Sequence, residues 1–271
     1  MGLRINTNVA ALNAGRTLNR STSSLNRSLE RLSSGLRINR AADDAAGLAI
    51  AEAFRSQSRG TQVAQRNAQD GVSLVQTAEG SLSETTNILQ RIRELAVQSA
   101  NGTQSTDNRV ALNAEVQQLL QQIDDIAQDT EFNGIRVLSA AQTVTLQSGA
   151  NQSQTLTVTT AGAQTRELGI STVAVSSVAL AVSTINTIDI AIRSVNSLRS
   201  TLGAFQNRLE FTINTLAIQE ENATASESAI RDADIARETI AFTRNQILVS
   251  AGTSVLAQAN IVPQTALQLL R

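Results

Sequence analysis

The sequence contains no Cys, His, Trp, Tyr or Lys, so all 22 of its basic residues are Arg. These absences remove thiol and imidazole nucleophiles, Schiff-base lysines, and soft or imidazole metal ligands. No disulfide can form. What remains for catalysis is carboxylate and hydroxyl chemistry, with no base that titrates near neutral pH. We therefore expect a protein that is not an enzyme and that holds no cofactor or metal.

Aromatic residues make up only 2% of the chain, whereas hydrophobic residues reach 41%. Ala, Leu, Ile and Val supply that content, which favours helices packed side by side. A net charge of -1 gives no general attraction for nucleic acid or an anionic membrane. No run of eighteen apolar residues occurs, so we expect no membrane span. Asn, Thr and Arg residues interrupt 1–20, where a signal peptide would carry an apolar segment. We therefore expect no signal peptide, and either retention in the cell or export through an uncleaved end.

The two ends of the chain carry narrow apolar stripes. At the N-terminal end Leu18, Leu25 and Leu32 lie seven residues apart, and Leu29 and Leu36 repeat that interval beside them. At the C-terminal end Ile240, Ile247 and Ser254 keep the same interval, next to Leu248, Val255 and Leu256. Such a stripe suits a helix that packs against one other helix. The sequence therefore predicts that the ends pair as antiparallel helices and leave apolar edges for self-association.

The interior alternates helical and non-helical patterns. We predict helices over 9–34 and 45–100, a third from Asp107 to the turn at Asn133 and Gly134, and a fourth over 178–222. The second helix contains a coiled-coil seam of residues three and four apart: Val75, Ala78, Leu82, Thr85, Leu89, Ile92 and Ala96. The pattern of the third helix consists of Leu112, Val116, Leu119, Ile123 and Ile126.

Between the third and fourth helices the period changes to two. Apolar and polar residues alternate over 144–159 around a turn at 148–151, which predicts a β-hairpin within a β or irregular region at 138–177. Polar residues at 224–228 separate the fourth helix from the C-terminal one, and Pro263 is expected to kink or end that helix. The fold class is therefore mainly α: long antiparallel coiled-coil helices forming a rod, with a small β-hairpin region.

Five segments carry a resemblance to bacterial flagellins. At the N-terminal end these are 4–13 (RINTNVAALN), 29–39 (LERLSSGLRIN) and 42–47 (ADDAAG), and at the C-terminal end 251–260 (AGTSVLAQAN) and 263–264 (PQ). The resemblance implies a structural subunit that self-polymerises into the flagellar filament for motility. An alternative is a hook–filament junction protein of the same superfamily. A secreted enzyme on a helical rod is a further rival, which the short middle and the missing His argue against.

The resemblance also implies an organisation and a set of partners. We expect 1–44 and 229–271 to be paired helices of the inner filament core, and 45–228 to be a rod domain without an outer globular insert. The expected partners are many copies of the same chain, flagellar cap and junction proteins and an export chaperone. Localisation would be extracellular, after type III export.

One exposed helical segment resembles the surface that a host Toll-like flagellin receptor contacts. By resemblance, these receptor or subunit contacts are Gln90, Arg91, Arg93, Glu94, Leu95, Gln98 and Glu115. The residues alone favour an ordinary solvated helix face, and only the resemblance favours a contact surface.

Other polar features admit two interpretations. Asp43 and Asp44 are adjacent carboxylates that diverge on a helix, so helix capping is favoured over metal binding. The Ser and Thr residues of 143–184 suit either a solvated hairpin or O-glycosylation. Glycines at 47, 60, 71 and 80 lie within a predicted helix, where they indicate either close helix approach or a bend.

Overall fold

The computed structural model describes residues 7–269, of which 262–269 are described only as helical backbone. The described part contains five α-helices and four short strands. The helices are α1 (Val9–Ser34), α2 (Ala45–Ala100), α3 (Thr106–Asp129), α4 (Val178–Arg231) and α5 (Ile235–Leu269). The strands are β1 (Glu131–Phe132), β2 (Ile135–Arg136), β3 (Gln142–Gln147) and β4 (Thr155–Thr160). The predicted mainly-α class with a small β region is confirmed.

The chain divides into two compact units. Unit 1 consists of Met1–Ser56 and Asn222–Arg271, and unit 2 consists of Gln57–Glu221. The domain boundaries predicted at 44/45 and 228/229 lie near the unit boundaries without coinciding with them. Those predicted boundaries remain a prediction about the assembled protein.

The core of unit 2 is built on the predicted seam of α2. Leu82, Leu89 and Ile92 are fully buried, as are the other four members of that seam. Ion pairs of Arg93 with Asp189 and of Glu79 with Arg199 show that α2 and α4 run antiparallel. The α4 stripe continues this core, because Ile188, Val195, Leu202 and Leu209 are buried.

Helix α3 packs antiparallel to α2 through a face slightly rotated from the predicted one. Val116 and Ile123 are buried as expected, but Leu120 and Ala127 complete the buried row. Leu112, Leu119 and Ile126 are only partly buried. The rotation follows from the wide apolar face of α3, which leaves two neighbouring rows able to face the core.

The structure corrects the predicted end of the third helix. Helix α3 ends at Asp129, and Asn133 and Gly134 instead form the two-residue turn of a tiny hairpin, β1–β2. Both turn residues have positive φ, 50° and 78°. That is the backbone of a type I′ turn, for which Asn-Gly is the preferred sequence. The Asn-Gly pair thus belongs to a strand connection and not to a helix end.

The predicted hairpin at 144–159 is confirmed as β3–β4. Val144 pairs with Val158 and Leu146 with Leu156, and these four side chains form the inner face. Asn67 of α2 donates a 3.1 Å hydrogen bond to the Gln147 carbonyl. The hairpin therefore packs directly on α2.

Two glycines of α2 allow this close packing. A Cβ at Gly60 would lie 2.8 Å from the Ala150 Cβ, and a Cβ at Gly71 would lie 2.3 Å from Leu146 Cδ1. Gly80, in contrast, has nothing within 4 Å. The predicted close approach therefore occurs at Gly60 and Gly71, where the neighbour is the hairpin rather than another helix. A Cβ at Gly47 would instead meet Asp44 and Ile38, which precede α2.

The predicted end of α4 was wrong, and α5 does not end at Pro263, where the sequence predicts a kink or an end. Helix α4 runs through the polar segment 224–228 to Arg231, because its Ser and Glu residues are compatible with an exposed helix, and Ser226 bonds back to the Asn222 carbonyl at 2.7 Å. Helix α5 continues past Pro263 to Leu269.

One window of α4 is apolar enough, with a mean hydropathy of 1.4, to cross a membrane by length and composition alone. Core helices of soluble proteins meet the same criterion, and Ile188, Ala191 and Val195 of α4 are buried in unit 2.

Candidate assembly surfaces

Helices α1 and α5 form an antiparallel pair in unit 1. Asn8 caps the N-terminal end of α1. Its side chain donates a 2.8 Å hydrogen bond to the Ala259 carbonyl in the C-terminal half of α5. Towards the other end of α1, Arg31 lies 3.7 Å from Glu238. Between them Leu18 lies opposite Gly252. The predicted antiparallel pairing of the two ends is therefore confirmed within the described residues.

The side chains facing the partner helix recur in alternating steps of three and four. On α1 they are Ala11, Ala14, Leu18, Ser21, Leu25, Ser28 and Leu32, all buried or partly buried. On α5 they are Glu238, Phe242, Asn245, Val249, Gly252, Leu256 and Ala259, all partly buried. We call these two rows the α1–α5 seam. Leu18, Leu25, Leu32 and Leu256, expected as assembly residues, lie on it.

The predicted stripe of α5 faces away from α1, which corrects the expectation that the two stripes press on each other. Exposure ranges from 46% at Ile261 to 62% at Ile247 across the α5 outer face, which consists of Ile240, Ile247, Leu248, Val255 and Ile261. A seven-residue interval identifies a stripe without indicating its partner. Because α5 is apolar on more than one side, its period alone did not identify the seam, which runs through Phe242, Asn245 and Val249.

Leu29 of α1 is also exposed, at 47%. Leu36 lies beyond α1 and forms an isolated antiparallel bridge with Asp232. Neither residue belongs to the α1–α5 seam, although both were expected to act with the other leucines. The described part of unit 1 therefore carries apolar surface on both helices, most of it on α5.

The seam itself is formed largely by small and polar residues. A Cβ at Gly252 would lie 3.2 Å from Leu18 Cδ1, so glycine allows close helix approach there. Asn245 donates a 3.5 Å hydrogen bond to the Ser28 hydroxyl at a second level. The seam places these small and polar contacts among partly buried leucines, whereas the α5 outer face remains exposed.

The breaks between α1 and α2 and between α4 and α5 lie side by side. Arg37 N–H donates to the Arg231 carbonyl at 2.7 Å, and Ala233 N–H donates to the Gly35 carbonyl at 2.9 Å. Gly35 ends α1 with φ +71°, a left-handed conformation suited to glycine. We call this arrangement the paired break.

The two acidic residues between α1 and α2, Asp43 and Asp44, have different roles. Asp44 accepts a 2.8 Å hydrogen bond from Gly47 N–H at the start of α2, which confirms its predicted capping role. Asp43 instead accepts from Arg40 N–H and Asn39 N–H, closing the preceding turn. The hydrogen bond from Arg40 N–H, supported by that from Asn39 and by the charges of Arg31 and Arg40, lowers the pKa of Asp43.

A second candidate surface lies on α2 and α3 in unit 2. Arg91 donates to Glu115 at 2.8 Å and to Glu94 at 3.3 Å, and Arg93 donates to Asp189 at 2.7 Å. Hydrogen bonding to Glu115 raises the pKa of Arg91, and hydrogen bonding to Asp189 raises that of Arg93. These ion pairs create a flat polar surface that contains its own counter-charges.

The residues expected to form this surface do not all reach it. Gln90 and Gln98 are exposed, as are the charged residues. Leu95, however, is only 1% exposed and lies in the core of unit 2. In this structure Leu95 therefore supports the surface from beneath.

The carboxylates do not converge as metal ligands. No group of three or more Asp or Glu residues able to hold a metal occurs within the described residues. Asp124, of the adjacent pair Asp124 and Asp125, instead accepts hydrogen bonds from both the backbone N–H and the hydroxyl of Thr165, at 2.7 and 2.8 Å. It thereby fixes the irregular segment after β4 to α3.

The sequence is similar to two protein-family models and to known proteins over nearly its whole length. A model of the bacterial flagellin N-terminal helical region matches residues 5–143, and one of the flagellin C-terminal helical region matches residues 185–270. The chain is 48% identical to a flagellin of Halalkalibacterium halodurans, covering 98% of this chain and 99% of that protein. It is 45% identical to a flagellar filament 33 kDa core protein of Treponema phagedenis, with the same coverage.

The fold is shared with one solved structure, and a second is similar in sequence. A hook-associated protein from Vibrio parahaemolyticus superposes with a TM-score of 0.59, covering 70% of this chain and all of that one, at only 11% identity. A Bacillus cereus flagellin is 33% identical over 56% of this chain and 88% of that one, with a TM-score of 0.49.

Proposed function

The chain belongs to the bacterial flagellin family, and we propose that its copies assemble through the α5 outer face. As a flagellin it is a structural subunit that polymerises into the flagellar filament, and it is not an enzyme. The junction-protein alternative is not favoured, because relatives matched over nearly their whole length are flagellins and filament core proteins.

The exposed apolar surface of α5 carries this proposal. Ile240, Ile247 and Ile261 recur along one side of the helix at intervals of seven or twice seven, next to Leu248 and Val255. A row of this kind presents a continuous strip to another helix. Burying an isoleucine side chain contributes about 1.5–3 kcal/mol, so a neighbouring copy that covers the strip would stabilise the contact substantially.

The exposed apolar surface beside the α1–α5 seam suggests how assembly and folding are coupled. Small and polar seam residues such as Ser21, Ser28 and Gly252 bury little apolar area within one subunit. Association with neighbours would supply the missing burial, so we propose that the helix pair becomes fully ordered during polymerisation. Leu29 of α1 would join the same apolar contact.

The proposal is tested by changing the outer face alone. In the double variant Ile240→Ser with Ile247→Ser, we expect the critical concentration for filament formation to rise at least about tenfold, because two buried contacts are lost. Light scattering and electron microscopy would follow filament growth. The matched control is Gln246→Ser with Thr253→Ser, which changes exposed polar residues on the same helix. Equal critical concentrations for the test and control variants would refute the proposal.

Removing residues 1–40 tests the contribution of α1. This deletion takes away one side of the α1–α5 seam together with Leu29. We expect no filaments by electron microscopy, while unit 2 keeps its helical circular dichroism. Undiminished assembly would show that the helix pair is dispensable.

We assign the polar surface of α2 and α3 to contacts with subunits in the filament and with a host Toll-like flagellin receptor in the monomer. Gln90, Arg91, Arg93, Glu94, Gln98 and Glu115 would form this contact, with Leu95 supporting it. The exposure of the paired charges supports the assignment. In a receptor reporter assay with monomers, Arg91→Ala and Glu115→Ala should reduce signalling, whereas the exposed control Arg193→Ala should not.

Family membership supports further proposals about partners and location. We propose that flagellar cap and junction proteins and an export chaperone bind this chain, that 1–44 and 229–271 form the inner filament core, and that the filament lies outside the cell. Antibody labelling of intact cells tests the location. Labelling only after the outer envelope is opened would place the filament in the periplasm.

A further inference from the structure

An open groove runs along α4 beside the loop between β3 and β4, within unit 2. Its volume is about 560 Å³, and its floor and walls combine one α4 face with the hairpin loop. The lining residues are Ser148, Gly149, Gln154, Ala204, Asn207, Arg208, Phe211, Thr212, Thr215, Leu216 and Gln219. None of the surfaces discussed above uses this groove.

The groove presents one aromatic ring among hydrogen-bonding groups. Phe211 is 72% exposed, the largest value among the large hydrophobic side chains described, although the chain has only five Phe. Apart from Ala204 and Leu216, the side chains around it are amides, hydroxyls and one guanidinium. This composition differs from the aliphatic α5 outer face, where a helix–helix contact is expected.

Several of these polar groups remain available for a ligand. The side chains of Asn207 and Gln219 make no hydrogen bond to any residue in the described part of the chain. Thr212 and Thr215 donate to the Arg208 and Phe211 carbonyls, at 2.8 Å each, and so keep their oxygen lone pairs free. The amide of Gln154 accepts a bond from Asn151 N–H and keeps its own N–H groups. Both donors and acceptors therefore line the groove.

The charge in the groove is positive. Arg208 is its only ionic lining residue, and no carboxylate within the described residues lies within ion-pair distance of this guanidinium. The Arg208 guanidinium makes a cation–π contact with Phe205, whose ring centroid lies 5.9 Å from Arg208 Cζ. An uncompensated guanidinium beside neutral hydrogen-bonding groups favours a ligand that carries a carboxylate.

From this combination we infer that the groove binds an acidic oligosaccharide, a chain of sugar rings with carboxylate groups. The apolar face of one ring would pack on Phe211, and a carboxylate would accept hydrogen bonds from Arg208. Ring hydroxyls would exchange hydrogen bonds with Asn207, Gln154 and Gln219. The groove extends over more than three turns of α4, from Ala204 to Gln219, so it can hold several successive rings.

The binding is tested on full-length monomers by titration calorimetry with a galacturonic acid hexamer. A neutral glucose hexamer of the same length serves as the comparison ligand. We expect the acidic hexamer to bind more tightly. Arg208→Gln should weaken the acidic hexamer about tenfold and leave the neutral one unchanged, because a charge-assisted hydrogen bond is lost. Phe211→Ala should weaken both ligands about three- to tenfold.

Matched controls distinguish groove binding from general attraction. Arg193→Gln removes another exposed arginine of α4, and Ile218→Ala removes another exposed apolar side chain, both outside the groove. Neither should alter binding. Failure of the acidic hexamer to bind, or equal losses in the test and control variants, would overturn the inference. Loss of filament formation in Phe211→Ala without any saccharide binding would instead identify the groove as a contact between copies, and would also overturn it.

Discussion

Gly252 of α5 lies directly against Leu18 of α1, and a Cβ at Gly252 would be 3.2 Å from Leu18 Cδ1. The two helices therefore approach each other at a position where one of them has no side chain. This contact lies on the α1–α5 seam, near its middle. It limits which residues can occupy Gly252 without separating the pair.

Gly252→Leu should weaken the α1–α5 pair. A leucine there has to displace Leu18 or the helix, and overpacking of this kind costs about 1–3 kcal/mol. Faster amide hydrogen exchange in α1 and α5 would report the loss. Gly15→Leu is the matched control, since nothing lies within 4 Å of a Cβ at Gly15. That variant should keep or slow exchange, because leucine is the better helix former.

Gly71→Ala should destabilise unit 2. Its new Cβ would lie 2.3 Å from Leu146 Cδ1, so the hairpin side chain has to move, at a cost of about 1–3 kcal/mol. Gly80→Ala is the control on the same helix, and it should stabilise by up to about 1 kcal/mol because no neighbour is close. Urea unfolding of both variants measures the difference. Similar midpoints would mean that the hairpin does not pack closely on α2.

Leu95→Ala should destabilise the monomer by about 2–5 kcal/mol, the usual cost of truncating a buried leucine. Val97→Ala, at a side chain 50% exposed two residues away, should change stability by about 0.5 kcal/mol or less. Thermal unfolding separates the two variants. If Leu95→Ala leaves stability unchanged but lowers receptor signalling, Leu95 is itself a contact residue.

Asp43 should titrate below its ordinary pKa of 3.8, chiefly because Arg40 N–H donates a hydrogen bond to the ionised carboxylate. A folded-state pKa lowered in this way adds stability above the unfolded-state value, and that stability is lost as the pH falls through the folded-state pKa. Carboxyl chemical shifts followed by NMR between pH 5 and 2 would give the midpoint. A midpoint at or above 3.8 would show that the turn does not form in solution.

The elements that the sequence predicts correctly are those with one narrow apolar face. The α2 seam from Val75 to Ala96 has a single such face, so its period alone identifies its buried side. Helix α5 has apolar residues on several sides, and its period could not indicate which side meets α1. The partner face depends on the close approach at Gly252, a tertiary contact that a periodicity does not contain.

The predicted end of α3 was wrong because the same residue pair is common in two kinds of local structure. Asn133 and Gly134 can follow a helix or connect two strands, and the preceding Thr130 already ends α3. The groove beside Phe211 was not predicted, because Gln154 and Phe211 are brought together only by the position of the β3–β4 loop beside α4. The ion pair of Arg93 with Asp189 likewise joins residues 96 positions apart.

The paired break has a consequence for how α1 finds its position along α5. Because the α1–α5 seam repeats every seven positions, a slip of the helices by one repeat would again place similar side chains opposite each other. The backbone hydrogen bonds from Arg37 to Arg231 and from Ala233 to Gly35 fix both helices at one end. A one-repeat slip would have to break both bonds. The register of the helix pair is therefore set at this end.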